Sequence, residues 1–153
     1  MFRGVSALNL DSKGRLAVPT RYRESLAQQC EGHLVLTISS SDRCLWLYPL
    51  NEWEAIERKV VALPSLDPQA QRLKRILIGH ASDAELDGSG RVLLPGPLRE
   101  FAGLGKRVVL IGQGNKFEIW NEELWNTRRD EWLSQSQPAG GGTLPVELES
   151  LSL

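Results

Sequence analysis

The sequence predicts an α+β fold, mainly β, in which two tandem ββαββ units are accompanied by flanking helices. Three observations predict it. The first is self-similarity: "LDSKGRLAVPTRYRE" (10–24) and "LDGSGRVLLPGPLRE" (86–100) agree at seven of fifteen positions, Leu10/Leu86, Asp11/Asp87, Gly14/Gly90, Arg15/Arg91, Pro19/Pro95, Arg23/Arg99 and Glu24/Glu100. In the second, the similarity resumes at a shift of 74 in place of 76: "LVLTI" (34–38) lies over "VVLIG" (108–112), and "LWL" (45–47) over "IWN" (119–121). The repeated unit is therefore roughly 45 residues long. The third is that helix-like sequence separates the two units and follows the second.

Within the first unit, "ALNLD" alternates and "RLAVP" is a mostly apolar run. Between them "SKG" ends in Gly14, the residue that a three-residue hairpin loop favours at its left-handed position, so 7–19 reads as a β-hairpin. A short helix follows the proline. Thr20 is the expected cap in the first unit, with Tyr22, Leu26 and Ala27 on one face, and Gly96-Pro97 opens the helix of the second, with Leu98, Phe101 and Ala102 inward. Gly32 and Gly103 are the stops. A second hairpin then forms from "HLVLTI", the polar turn "SSSDR" and "CLWLYP", and in the other unit from "KRVVLIG", "QGN" and "KFEIW".

A helix is expected over Glu52 to Val61, and another over 67–78 with Asp67 as N-cap, Pro68 at the first helical position, Ala70, Leu73 and Leu77 on one face, and a stop at Gly79. Residues 122–133 read as a helix with Leu124, Trp125, Trp132 and Leu133 as apolar contacts. "SQSQPAGGG" has the composition of a flexible linker. The tail "TLPVELESLSL" regains apolar spacing at Val146, Leu148, Leu151 and Leu153, which fits either docking or disorder. The resulting organisation is 5–52 for the first repeat, 53–80 for connecting helices, 81–124 for the second repeat, 125–134 for a C-terminal helix and 135–153 for linker and tail. A β unit of this size buries too little apolar surface to stand alone, so the two are expected to complete one core about a pseudo-twofold axis.

At 153 residues, 41% hydrophobic and 24% charged, the composition is that of a soluble globular protein. The longest apolar runs, such as Val108 to Ile111, are far too short to cross a bilayer, and the N-terminal residues lack the pattern of a signal peptide. A cytoplasmic location is expected. Cys30 and Cys44 have neither CxxC spacing nor a companion histidine cluster and read as buried reduced thiols. The net charge of −1 conceals a local asymmetry. Residues 1–23 carry Arg3, Lys13, Arg15, Arg21 and Arg23 against Asp11 alone, whereas 81–100 carry Arg91 and Arg99 against Asp83, Glu85, Asp87 and Glu100.

Motifs for other chemistries fail on inspection. "DAELDGSGRVLL" starts like a calcium loop, but its twelfth position is Leu94, where a bidentate Glu belongs, and Arg91 occupies the ninth. "GQGN" has Phe117 in place of the third glycine of a dinucleotide loop, and "GLGKR" lacks both the upstream Gly and the following Ser/Thr of a P-loop. His33 and His80 are isolated, and no nucleophile elbow or paired carboxylates in a cleft can be discerned. An enzyme, a cofactor, a metal and a small-molecule substrate are not expected.

The doubled D-x-x-G-R followed by an apolar run and proline, within "NLDSKGRLAVPTRYRE" and "LIGHASDAELDGSGRVLLP", resembles the MraZ family of bacterial transcriptional regulators over Met1 to about Trp132. The resemblance implies an AbrB-like swapped-hairpin barrel and a ring-shaped homo-oligomer, octamer- or dodecamer-like. It also implies a nucleoid-associated repressor that binds double-stranded DNA at repeats upstream of the division and cell-wall gene cluster that includes its own gene.

The chemistry of the motif fits that partner. Lys13 offers a point charge and Arg15 a planar fork for phosphate or guanine O6/N7, while Gly14 allows close approach of the turn. Arg3, Arg21 and Arg23 widen this into a basic face. A structural reading stands beside it: Asp11 can accept the backbone N–H groups of its own turn and pair with Arg15, making the motif self-contained. In the second copy Ser89 replaces the lysine and acidic neighbours oppose phosphate, so Arg91 is the weaker candidate for DNA. Arg23 and Arg99 fit scaffold and ligand roles equally, and Trp46 and Trp120, at equivalent positions, fit core packing. The competing function is a protein-interaction or assembly module, antitoxin-like, of the same fold.

Overall fold

The computed structural model describes residues 1–135 and 146–153. The first unit runs β1 (Val5–Asn9), β2 (Arg15–Ala17), α1 (Thr20–Cys30), β3 (His33–Ile38) and β4 (Leu45–Pro49). After α2 (Leu50–Val61), α3 (Pro68–Leu73) and a π-helical turn (Lys74–Ile78), the second unit repeats the order as β5 (Ser82–Glu85), β6 (Arg91–Leu93), α4 (Gly96–Phe101), β7 (Arg107–Gly112) and β8 (Phe117–Asn121). Helices α5 (Glu122–Ser134) and α6 (Val146–Glu149) complete the described chain. The class is α+β, as the repeat predicts, with eight strands among the described residues and the helices set around them.

Strand pairing crosses between the units. One antiparallel sheet has the order β1-β7-β8-β4-β3-β5, and a two-stranded ribbon pairs β2 with β6. The hairpins β3–β4 and β7–β8 form as expected. The hairpin expected over 7–19 does not: β1 leaves its own unit to pair with β7, and β5 pairs with β3. The tight turn itself is present, closed by Gly14 N–H to Asp11 O and Asp11 N–H to Arg15 O, both at 3.0 Å, but beyond it the strands separate. The large sheet is open, with β1 and β5 at its edges.

The register is twofold about the middle. In the ribbon Leu16 pairs with Val92, its own counterpart in the repeat, and in the large sheet Leu45 pairs with Ile119, again its counterpart. A pseudo-twofold axis thus passes through both ladders. The change of shift from 76 to 74 falls in the helices, where α4 has 6 residues against 11 in α1.

Both faces of the sheet are covered, which explains why its four inner strands are apolar runs and not alternating ones. Leu34, Leu36, Leu45, Leu47, Val108, Leu110, Phe117 and Ile119 face the ribbon and share its core with Leu16, Val18, Val92, Leu94, Tyr22 and Leu26. On the opposite face Val35 and Tyr48 lie under Trp53 and Val60 of α2 and Leu77 of the π turn, while Val109, Ile111 and Trp120 lie under Leu124 and Trp125 of α5. Full burial of each Leu or Val in these layers contributes about 1.5–3 kcal/mol relative to exposure.

Several local expectations need correction. Thr20 is the first helical residue and makes no side-chain cap; Pro19 occupies the cap position, where its fixed φ of −52° sets the entry. Ala27 is exposed, so the buried face of α1 is Tyr22 and Leu26. Asp67 does cap α3, its Oδ1 accepting Gln69 N–H at 2.9 Å, but the helix widens into a π turn at Lys74 that ends with Gly79 N–H donating to Lys74 O. There the buried Thr37 hydroxyl donates to Leu77 O at 2.7 Å. Trp132 stacks edge-on against Trp120 and Trp125, whereas Leu133 is exposed. Cys44 is buried and Cys30 only half-buried. Trp120 is core, as is one face of Trp46, and both indole N–H groups donate to the buried Glu118 carboxylate, at 3.0 and 2.9 Å. Val146, Leu148, Leu151 and Leu153 are exposed, and most of the expected linker lies outside the described residues.

The two turns lock onto each other's units. Val18 N–H donates to Gly90 O at 2.9 Å and Leu94 N–H to Gly14 O at 3.0 Å. Over these glycines lie the arginines of the opposite repeats: Arg99, whose Nε donates to Leu94 O (2.9 Å), covers Gly14, and Arg23, whose Nε donates to Val18 O (2.7 Å), covers Gly90. Gly90 has φ +74° and a Cβ there would sit 2.2 Å from Arg23 Nε. Gly90→Ala is therefore expected to cost about 1–3 kcal/mol, from left-handed backbone and displacement of Arg23 together. Denaturant unfolding of Gly90→Ala, Arg23→Ala and the double variant checks this: the two losses should be less than additive, because removing Arg23 removes the clash. Strict additivity would mean that the arginine does not hold the turn.

Candidate nucleic-acid interface

Each D-x-x-G-R stretch folds around its aspartate. Asp11 Oδ1 accepts the N–H groups of Lys13 and Arg15, both at 2.9 Å, and Oδ2 accepts Arg15 Nε at 2.7 Å. Asp87 repeats this with Ser89 N–H (2.8 Å), Arg91 N–H (2.9 Å) and Arg91 Nε (3.1 Å). The spacing is dictated by geometry: the carboxylate must reach over a four-residue turn to the donors of residues i+2 and i+4. The self-contained reading of the motif is thus correct for the backbone, and it aims the arginine without burying it.

The β2–β6 pairing brings the two turns together. Arg91 Nη1 lies 3.8 Å from Asp11 Oδ2, so Asp11 stands between Arg15 and Arg91. Along the ribbon Leu16 and Val92 are fully buried, and alternation turns Arg15, Ala17, Arg91 and Leu93 outward. Arg15 and Arg91 are partly exposed, Ala17 and Leu93 are exposed. Two guanidiniums and two small apolar groups therefore share the outer face of one twisted two-stranded ribbon. Ala17 and Leu93 were not among the sequence candidates; the alternation in "RLA" and "RVL" held the signal, but only the ribbon shows which face is free.

Of the remaining candidates, Lys13 and Gly14 belong to this face, Lys13 at the exposed tip of the turn and Gly14 buried beneath Arg99. Arg3 and Arg21 do not. Arg3 lies at the far end of β1, beside Gly112, on the order of 20 Å along the strand from the turn. Arg21 is tied down by Nη2 bonds to Ser6 Oγ (2.7 Å) and Tyr22 Oη (3.0 Å), with its guanidinium over the Tyr22 ring, and the Tyr22 hydroxyl donates to Arg3 O. Arg23 and Arg99 serve as scaffold through the carbonyls of Val18 and Leu94.

Hydrogen bonds from the Arg15 backbone, together with its guanidinium, hold the Asp11 carboxyl down at about 2, and the corresponding Arg91 bonds lower that of Asp87. Both stay ionised and keep the arginines aligned. No cluster of His, Cys, Asp and Glu suited to a metal ion occurs among the described residues, and no described helix is long and apolar enough to span a membrane.

A family model described as "MraZ protein, putative antitoxin-like" matches the chain twice, over residues 1–76 and 77–140. Proteins named "Transcriptional regulator MraZ" are similar over nearly the whole length. That of Halorhodospira halophila is 63% identical over 100% of both chains, that of Methylococcus capsulatus 57% over 99% of both, and that of Coxiella burnetii strain RSA 493 51% over 100% of both.

A carboxyl whose folded pKa lies below its unfolded value stabilises the fold above the unfolded value and loses that contribution as the pH falls through the folded one. For Asp11 the window runs from its ordinary 3.8 down to about 2. Melting temperature is expected to fall through this window in the natural protein and to fall less steeply in Asp11→Asn, followed by far-ultraviolet circular dichroism. Equal slopes for the two proteins would contradict the turn geometry.

Proposed function

The chain belongs to the MraZ family, and on that premise we propose that it is a sequence-specific DNA-binding transcriptional regulator, acting as a repressor at repeated sites upstream of its own division and cell-wall gene cluster. The observation that carries this reading is the ribbon. A two-stranded β-ribbon is one of the two elements that fit the major groove. Arg15 presents a fork suited to guanine O6/N7, and the outward Ala17 and Leu93 suit thymine methyl groups. Lys13 at the adjoining tip suits phosphate.

The exchange of β1 and β5 between repeats supports an AbrB-like swapped-hairpin architecture contained within one chain. The open sheet also supports assembly. Its edges β1 and β5 lie at opposite ends of a six-stranded antiparallel order and run antiparallel to each other, so copies can join head to tail with the same strand polarity. A ring of this kind, octamer- or dodecamer-like, would display several ribbons to repeated DNA sites and gain avidity. Arg3 and Arg21 would contribute general attraction to the duplex, away from the bases.

Arg15→Ala is expected to weaken binding to a duplex from upstream of the gene by tenfold or more, since each lost bidentate contact counts in every engaged subunit. Its melting should stay close to that of the natural protein, because a half-exposed ion pair adds little to stability. Arg91→Ala should weaken binding less, as Arg91 is shared between Asp87 and Asp11. Gel-shift titration beside sedimentation velocity checks both parts. Unchanged DNA binding by Arg15→Ala, or a strict monomer at micromolar concentration, would contradict the proposal, and binding to protein partners alone would favour an assembly module.

A further inference from the structure

The pseudo-twofold axis makes two clefts of the same construction, and they differ in charge. One lies between the first turn and the loop entering β7, lined by Leu10, Asp11, Gly14, Arg99 and Lys106. Its counterpart lies between the second turn and the loop entering β3, lined by Leu86, Asp87, Gly90, Arg23 and Glu31. Strand exchange creates both. Because β1 pairs with β7, Leu10 N–H donates to Lys106 O at 2.8 Å, which brings Lys106 of the second unit beside the turn of the first; Arg107, one residue on, shares the opposite face of the sheet with Val109 and lies 3.9 Å from Glu122 of α5. In the counterpart, Leu86 N–H donates to Gly32 O, so Gly32 stands where Lys106 stands in the first cleft.

The first cleft thus has Lys106 on its wall and Lys13 at the adjoining tip, where the second has Gly32 and Glu31 on its wall and Ser89 at the tip. Structural work does not account for the wall cation. Lys106 is exposed and forms no ion pair among the described residues. The single carboxylate in the cleft, Asp11, is already taken up by Lys13 N–H, Arg15 and Arg91.

We infer that Lys106, with Lys13, forms a site for the sugar-phosphate backbone of duplex DNA flanking the ribbon on the first-unit side only. This rests on the DNA-binding reading and deepens it: the duplex is held asymmetrically on a pseudo-symmetric fold, with a phosphate strand on the cationic wall and none on the acidic one. Phosphate contacts position the protein and set salt dependence without carrying base information.

The test is binding of the full chain to the upstream duplex and to a scrambled duplex of equal length, at several salt concentrations. The variants are Lys106→Gln and, as a charge-matched control, Arg107→Gln, the neighbouring cation on the opposite face of the sheet. The first should lose affinity for both duplexes by the same factor, about tenfold or more across the multivalent complex, and flatten the log–log salt dependence by about one per engaged subunit. Its melting should match the natural protein, and the control should bind like the natural protein. DNA binding by the natural protein that is unaltered in Lys106→Gln overturns this inference alone. A loss equalled by the Arg107→Gln control also overturns it, in favour of total charge. Absence of binding to either duplex by the natural protein removes the DNA-binding reading and the inference with it.

Discussion

The ladder between β2 and β6 is the constraint on which the rest depends. Each of these strands is three residues long and has no other partner. Neither repeat can close its core without the other, because the layer opposite the large sheet is made from both, with Leu16 and Val92 paired on the axis and fully buried. Once they pair, β1 and β5 are carried across to β7 and β3, and the tight turns are left side by side. Duplication within one chain thereby supplies the second strand of the ribbon at very high effective concentration.

The same contact shapes the proposed interface. Glycine is required at 14 and 90 because each turn carries φ above +70° and an arginine of the other repeat lies across it. The aspartate of each turn spends its oxygens on backbone N–H groups and on its own arginine, which aims the guanidinium outward from the ribbon. Symmetry of backbone then coexists with asymmetry of charge. The Lys13 and Lys106 side is cationic, while Ser89 and Gly32, with Glu31 beside them, occupy the matching places on the other. Paired backbone registers can drift apart in surface charge at no cost to the core, since the groups that differ are exposed.

Much of this was legible in the sequence and some could not be. The repeated D-x-x-G-R and proline located the turns and helix starts, and Asp67-Pro68 the cap of α3, because each depends on a few neighbouring residues. The pairing partner of β1 was not legible: the turn at 11–14 is compatible with a local hairpin and with strand exchange, and periodicity specifies a face and not a partner. The same limit hid Lys106, which approaches the first turn only through the pairing of β1 with β7. Arg3 and Arg21, close to the motif in number, are set apart from it in space, Arg3 by the extended β1 and Arg21 by its bonds to Ser6 and Tyr22. Phe2, buried against Phe117 and Tyr22, lies outside any regular element and gave no periodic signal.

If the repeats share one core through β2 and β6, they must unfold together. Amide hydrogen exchange through a denaturant titration tests this most directly. The most protected amides of β3 and of β7, one strand from each repeat, should converge on one opening free energy equal to that of global unfolding, with Leu16 and Val92 joining them. Separate isotherms, in which the β3–β4 hairpin and its helices open while β7–β8 stays closed, would show two independent domains and contradict the account.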